Sequence, residues 1–142
     1  IDVFDGRTVY GISFDTTSAE LNPFINLNNR IYKSVSDVKE VDRNSDFIGM
    51  NCRKRNDVLQ LRNKYFCILD ENNQSLILDN FDYIFITNNI QFKSNLEVKK
   101  NAVIIADRNM DQNNLNEWYN FAEGKGISFH SLKNNGSISI KV

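Results

Sequence analysis

Two nearly continuous apolar runs constrain the fold of this chain more than any other feature. They are Tyr83–Thr87 (YIFIT) and Ala102–Ala106 (AVIIA). A strand that is apolar at almost every position is typical of the middle of a sheet covered on both faces, because a half-exposed strand alternates apolar and polar residues. The two runs therefore predict an α/β arrangement with buried central strands.

A helix pattern follows the second apolar run. Residues Asp111–Glu123 repeat apolar side chains at helical spacing, and Asp111 is a favoured N-cap residue. Gly124 or Gly126 is expected to end the helix. The apolar stripe of this helix consists of Leu115, Trp118, Tyr119 and Ala122, at positions i, i+3, i+4 and i+7.

The helix leads into another predicted strand, Ile127–His130. The resulting unit from Ala102 to His130 has the order strand, helix, strand. We expect a right-handed crossover if the two strands are parallel.

Most of the remaining chain also has strand patterns. Arg62-Asn63-Lys64 separates two of the runs as a hairpin turn. Residues 15–29 are predicted to be a loop and Ser36–Ser45 a helix or a loop, and we expect the first half of the sheet to be antiparallel. The other predicted strands are Asp2–Phe4, Val9–Phe14, Ile31–Val35, Phe47–Cys52, Val58–Leu61, Tyr65–Leu69, Ser75–Leu78 and Ser137–Val142. The chain is thus expected to be one domain, residues 1–142, of class α/β (α+β): a mixed β-sheet with few helices.

Length and charge exclude several classes of protein. No run approaches the roughly 18 apolar residues that span a bilayer, and no signal peptide is visible. The net charge of −1 gives no overall attraction to nucleic acid or acidic lipid. Because the chain starts at Ile1, within a strand pattern and without an initiator methionine, we expect a piece excised from a longer protein.

The two cysteines lie in separate apolar runs, as Cys52 and Cys67. Buried cysteine behaves as a small hydrophobe, so two buried thiols are favoured over a disulfide. A secreted disulfide framework would need more cysteines.

A single histidine, His130, limits the chemistry that this chain can perform. A zinc hydrolase needs several histidines and carboxylates, and a Ser-His-Asp triad would have to use His130 as its base. No Gly-x-Ser-x-Gly elbow and no glycine-rich phosphate loop is present. We therefore predict no catalytic residue, no metal and no cofactor, and a structural or surface role for His130.

A basic cluster is a candidate nucleic-acid surface. With Tyr65 and Phe66 beside it, the cluster could hold a nucleic-acid backbone. Alternate residues of a hairpin point to opposite faces, so a solvated edge that deters sheet association is the alternative. The cluster consists of Arg53, Lys54, Arg55, Arg62 and Lys64.

Polar residues also follow the two apolar runs. The carboxyl ends of strands are where sites form in open α/β sheets, which makes Asp107 a candidate Mg²⁺ ligand. The full candidate strand-end site is Thr87, Asn88, Asp107 and Asn109. A second carboxylate pair that could bind Mg²⁺, with a solvated turn as the alternative, is Asp79 and Asp82.

The C-terminal segments resemble a known family. They are DYIFITNN, AVIIADRN, a helix with a tryptophan, GISFH and NGSISI, and near the start FDGRTVYGISFDT and RIYKS. This order is similar to the C-terminal end of ComEC-like competence proteins, the membrane channels for DNA uptake in natural transformation. The opening stretch resembles the members from Bacteroidetes.

The resemblance implies a shortened metallo-β-lactamase-like fold at the end of an inner-membrane protein. The metal-binding His-x-His-x-Asp-His motif of active domains of that type is absent, so no metal ligand carries over. The implied partners are DNA and the protein's own transmembrane channel. The resemblance predicts a degenerate, non-catalytic domain.

Three functional hypotheses follow. The first is a non-catalytic domain that contacts DNA or other uptake components. The second is a carboxylate-based, Mg²⁺-dependent nuclease or phosphoesterase site near Asp107. The third is a purely structural protein-interaction domain.

Overall fold

The chain folds into two compact units, residues 1–57 and residues 58–142, and each is described by itself. The prediction of one domain over residues 1–142 stays a prediction. The loop expected at 15–29 and the strand expected at Ile31–Val35 lie outside the described residues. The computed structural model describes residues 2–5, 8–13, 37–42, 45–71, 77–87, 90–138 and 140.

The first unit contains a three-stranded sheet in the order β1-β2-β3. Strands β1 and β2 are antiparallel, whereas β2 and β3 are parallel along their whole length. The strands are β1 (Asp2–Asp5), β2 (Thr8–Ser13) and β3 (Asp37–Asp42).

The expectation of a helix or a loop at Ser36–Ser45 is wrong, since β3 lies within it. The expectation of antiparallel strands is also wrong for β2 and β3. The sequence DVKEVD has no strand alternation. Pairing with a distant strand satisfies its backbone N–H and C=O groups, and that gain is invisible in local spacing.

A tight hairpin stands where one continuous strand, Phe47–Cys52, was predicted. The strands are β4 (Phe47–Ile48) and β5 (Cys52–Arg55), and they are antiparallel. The Gly49 N–H donates to the Cys52 carbonyl oxygen over 2.7 Å, which closes the turn between them. The prediction is wrong because it gave the apolar neighbours more weight than the turn formers Gly49 and Asn51.

The second unit is built on five strands in the order β10-β9-β8-β7-β6. Strands β6 and β7 form the predicted hairpin, and β7, β8, β9 and β10 are all parallel. The two apolar runs occupy β8 and β9, each with a neighbouring strand on both sides, which confirms them as central strands of the sheet. The expectation that both faces are covered is not met along β8, where burial alternates and Tyr83 and Phe85 are half-buried. The strands are β6 (Val58–Leu61), β7 (Lys64–Leu69), β8 (Tyr83–Ile86), β9 (Val103–Ala106) and β10 (Ser128–Ser131).

Helix α1 (Gln112–Lys125) connects β9 to β10. The Asp111 side chain caps its N-terminus by accepting from the backbone N–H groups of Asn113 and Asn114. Gly126 ends it with φ 65°, a conformation that suits glycine. The N-cap was predicted from sequence, and Gly126 is one of the two glycines expected to end the helix. Since β9 and β10 are parallel, this unit is a parallel crossover connection, and its right-handedness stays a prediction.

The apolar stripe of α1 packs against the sheet with one change from the predicted pattern. Leu115, Trp118 and Ala122 are buried in one cluster with the apolar residues of β7, β8 and β9. Tyr119, the remaining residue of that stripe, is 49 % exposed and lies outside the buried cluster. The polar Asn114 is buried instead, because its side chain accepts from the Phe92 N–H and donates to the Ile90 carbonyl oxygen.

Two further strand predictions fall in the second unit. Ser137, Ile138 and Ile140 are not in a strand, so the predicted strand Ser137–Val142 is wrong over these described positions. In the predicted strand Ser75–Leu78, Leu78 forms only an isolated bridge to Val98 and Ile77 is not in a strand. Residues 75 and 76 lie outside the described residues. Cys52 and Cys67 are both buried and are not joined in a disulfide, which confirms the prediction of two buried thiols. The described fold is a mixed sheet arrangement with few helices, as expected.

Candidate nucleic-acid interface and strand-end site

Strand β5 separates the basic residues of the first unit by strand alternation. Arg53 and Arg55 are exposed, whereas Cys52 and Lys54 are buried. Lys54 is only 1 % exposed, and its Nζ donates to the Ser45 carbonyl oxygen over 3.1 Å. The two arginines therefore share the outer face of β5.

The hairpin places apolar side chains beside these arginines. Ile48 lies directly opposite Arg53 in the β4–β5 ladder, so the two side chains project from the same face. Met50 lies in the turn that joins the strands. Ile48 is 87 % exposed and Met50 is 90 % exposed. We call Ile48, Met50, Arg53 and Arg55 the hairpin surface.

The other two predicted basic residues lie in the second unit. Arg62 is exposed in the β6–β7 turn with φ 51°, and its carbonyl oxygen accepts from Gln60 Nε2 over 2.8 Å. Lys64 Nζ lies 3.4 Å from Asp82 Oδ1. Of the five predicted basic residues, the structure thus brings Arg53 and Arg55 together on one surface. Lys54 is buried and Lys64 is ion-paired.

Asp82 is the centre of a charged network at the amino end of the parallel strands. Its Oδ1 accepts from Lys99 Nζ at 2.8 Å and from Lys64 Nζ at 3.4 Å, and its Oδ2 accepts from the Tyr65 N–H at 3.1 Å. Burial alone would raise the pKa of Asp82, but these three hydrogen bonds and the charge of Lys99 outweigh it, so the pKa lies below its usual value. Asp79, its proposed partner for Mg²⁺, is exposed.

The strand-end candidates lie at the opposite, carboxyl edge of the sheet. The Thr87 N–H donates to the Leu69 carbonyl oxygen over 3.1 Å, and the Asp107 N–H donates to the Ile86 carbonyl oxygen over 3.0 Å. These bonds align the ends of β7, β8 and β9. Thr87 Oγ1 is buried and has no hydrogen-bond partner among the described residues. Asn88 lies outside them.

Asp107 shapes the turn that leads into α1. Its Oδ1 accepts from the Asn109 N–H over 3.3 Å, and its carbonyl oxygen accepts from the Met110 N–H over 3.4 Å. Asn109 is exposed and Asp107 is half-buried. This is a local side-chain-to-backbone turn, a structural role that these residue types often have.

The sequence interpretation missed Asp70, which follows β7 directly and is 4 % exposed. The rule that singled out Asp107 at the end of a strand applies equally to Asp70 after the apolar run YFCIL. Asp70 and Asp107 directly follow the two strands on either side of β8, and Thr87 directly follows β8 itself.

His130 has a structural contact in β10. Its Nε2 lies 2.9 Å from the Gly136 carbonyl oxygen and, because a carbonyl only accepts, this ring nitrogen carries the proton. The contact ties the strand to the turn after it. Within the described ranges, no three His, Cys, Asp or Glu side chains converge on a position that could hold a metal ion.

The comparisons with known proteins give one result for the family. No curated protein and no solved structure matches this chain. In the part of the chain that the structure describes, no helix is both long and apolar enough to cross a membrane. The model of the ComEC C-terminal domain family matches residues 1–142. The chain therefore belongs to the ComEC C-terminal domain family, which connects it with the membrane-associated proteins of competence DNA uptake.

Proposed function

We propose that this chain is a non-catalytic domain that contacts DNA during uptake, through Arg53 and Arg55 of the hairpin surface. It would act beside the transmembrane channel of its own inner-membrane protein. With one histidine in the chain, we regard it as a shortened, metal-free relative of metallo-β-lactamase-like domains. The observation that carries the proposal is the pair of exposed arginines on one face of β5.

The spacing of the two arginines suits a nucleic-acid backbone. Residues i and i+2 of a strand lie about 6.6–6.8 Å apart, close to the axial rise of two nucleotides of one DNA strand. A guanidinium group binds phosphate oxygens in bidentate fashion and stays charged at any physiological pH. The net charge of the chain is −1, so attraction to DNA would come from the two arginines and not from the chain as a whole. Because these charges are exposed, salt would weaken the binding strongly.

The double substitution Arg53→Ala/Arg55→Ala is expected to weaken DNA binding at low salt by about 10-fold or more and to reduce the dependence of log K on log[salt] by about 2. The reason is the loss of two phosphate contacts. Fluorescence anisotropy of a labelled oligonucleotide at about 50 and 200 mM salt measures both quantities.

The matched control is Lys93→Ala/Lys100→Ala, which removes the same charge from two exposed lysines of the second unit. It should bind DNA nearly as well as the wild type. Equal losses in both double variants would mean a general charge effect. An absence of DNA binding by the wild type at low salt would refute the proposal.

A second candidate function is a Mg²⁺-dependent nuclease or phosphoesterase site at the carboxyl edge of the sheet. It is favoured by the positions of Asp70 and Asp107 on either side of the buried Thr87 hydroxyl, which has no hydrogen-bond partner within the described ranges. Carboxylate and hydroxyl oxygens suit Mg²⁺. It ranks second because β7 and β9 lie about 9–10 Å apart across β8, which is wide for a shared ion.

The substitution Asp107→Asn is expected to abolish any Mg²⁺-dependent cleavage of a DNA oligonucleotide, because it removes the charge that would bind the ion. Asp79→Asn, at an exposed carboxylate, is the matched control. Full cleavage by Asp107→Asn would reject this assignment. If cleavage and DNA binding are both absent, the structural protein-interaction role remains.

A further inference from the structure

We propose that the tip of the β4–β5 hairpin inserts Ile48 and Met50 into the interface of an anionic lipid bilayer, with Arg53 and Arg55 on the lipid phosphates. The proposal goes beyond the proposed function. Phosphate contact with DNA uses the two arginines and leaves both apolar side chains unexplained.

The exposure of the tip is the first observation. Met50 and Ile48 are 90 % and 87 % exposed, more than any other large apolar side chain of the described residues, the next being Ile77 at 70 %. A single exposed apolar residue is ordinary on a protein surface. Two of them around one tight turn form a projecting apolar point, and burying it in the acyl boundary of a bilayer would recover the hydrophobic free energy.

The charge next to the tip is the second observation. Arg53 lies opposite Ile48, and Arg55 follows on the same face of β5. The acidic Asp46 precedes β4, at the end of the strand away from the tip. Its Oδ1 accepts there from the Asn56 N–H over 2.8 Å. Apolar residues flanked by cations are the pattern that binds anionic lipid surfaces, and the arginine stems can lie along the interface with their charges at the headgroups.

The rigidity of the turn is the third observation. The Gly49 N–H donates to the Cys52 carbonyl oxygen over 2.7 Å, and both residues of β4 pair with β5. The tip is thus held in shape before it meets a partner, which lowers the entropic cost of binding. The family of this chain is membrane-associated, so a bilayer is a partner within its setting.

Binding to vesicles tests the proposal with the chain as it stands. Flotation with vesicles of about 30 % phosphatidylglycerol in phosphatidylcholine should show binding that pure phosphatidylcholine does not support. The substitution Ile48→Ser/Met50→Ser should weaken this binding by about 10-fold or more at every salt concentration, since it removes apolar contact. Arg53→Ala/Arg55→Ala should weaken it mainly at low salt.

The matched control is Ile77→Ser/Ile138→Ser, at two exposed apolar residues of the second unit, which should bind vesicles like the wild type. A dye that responds to polarity, attached to Met50→Cys, should shift to the blue on vesicle binding, and the same dye on Ile77→Cys should not. Arg53 and Arg55 would bind the phosphates of DNA in one proposal and those of lipid headgroups in the other. DNA and anionic vesicles should therefore compete for the chain.

The outcomes separate this proposal from DNA contact. Vesicle binding unchanged in Ile48→Ser/Met50→Ser, or absent in the wild type, would overturn the lipid proposal. Loss of DNA binding in that variant without any vesicle binding would assign the tip to the DNA surface and would also overturn it. Vesicle binding that depends on the tip, with no DNA binding at all, would support the lipid proposal and refute the DNA one.

Discussion

Replacing Trp118 with alanine is expected to lower the free energy of unfolding by about 3–5 kcal/mol, the largest effect of any substitution proposed for this chain. Trp118 is fully buried in the cluster that joins α1 to the sheet. The centroid of its ring lies 5.3 Å from that of Phe92 and 6.2 Å from that of Phe121, and both ring pairs are edge-to-face. Alanine would leave a cavity lined by these rings, which the surrounding strands cannot fill.

Urea denaturation followed by circular dichroism measures this change, because Trp118 is the only tryptophan and its fluorescence is lost with it. The matched control is Tyr119→Ala, on the next position of α1 but 49 % exposed, which should cost about 1 kcal/mol or less. Equal costs at the two positions would contradict the packing of α1 described above. Since small domains have about 5–15 kcal/mol in total, the Trp118→Ala chain is expected to be partly unfolded at 37 °C.

Replacing Asp82 with alanine is expected to lower the free energy of unfolding by about 2–3 kcal/mol. The substitution removes the acceptor of the Tyr65 N–H and of two lysine ammonium groups. The cost stays below that of breaking a fully buried ion pair, because the side chains of Lys64 and Lys99 are 41 % and 43 % exposed and can regain water. The exposed Asp79→Ala is the control and should change stability by about 0.5 kcal/mol or less.

The same carboxylate predicts how stability depends on pH. The pKa of Asp82 is lowered in the folded chain. Its contribution is therefore complete above the unfolded pKa of about 3.9 and is lost as pH falls through the lower folded pKa. The stability difference between the wild type and Asp82→Asn should be constant from neutral pH to about pH 5 and should shrink below about pH 4. Urea titrations across this range measure it, and a difference that grows on acidification would contradict the network.

Much of the second unit could be predicted because its signals are local. The N-cap of α1 depends on Asp111 and the two amides after it, and its end depends on a glycine with φ 65°. The β6–β7 hairpin is set by a short polar turn between two apolar runs. The candidate site was only partly predictable: alternation places Arg53 and Arg55 on one face and Lys54 on the other, but the strand that imposes it, β5, was not predicted.

The sequence by itself determined which residues favour burial, where α1 begins, that a glycine ends it, and that β8 and β9 are central. Only the tertiary structure decided that β3 pairs with β2, that Lys54 donates to the Ser45 carbonyl, and that Asp82 joins Lys64 and Lys99. The physical reason is that a hydrophobic period or a cap acts over a few neighbouring residues, whereas these contacts join positions that only the folded chain brings together. For the same reason, no spacing rule showed that Ile48 and Met50 would project from a turn beside two arginines.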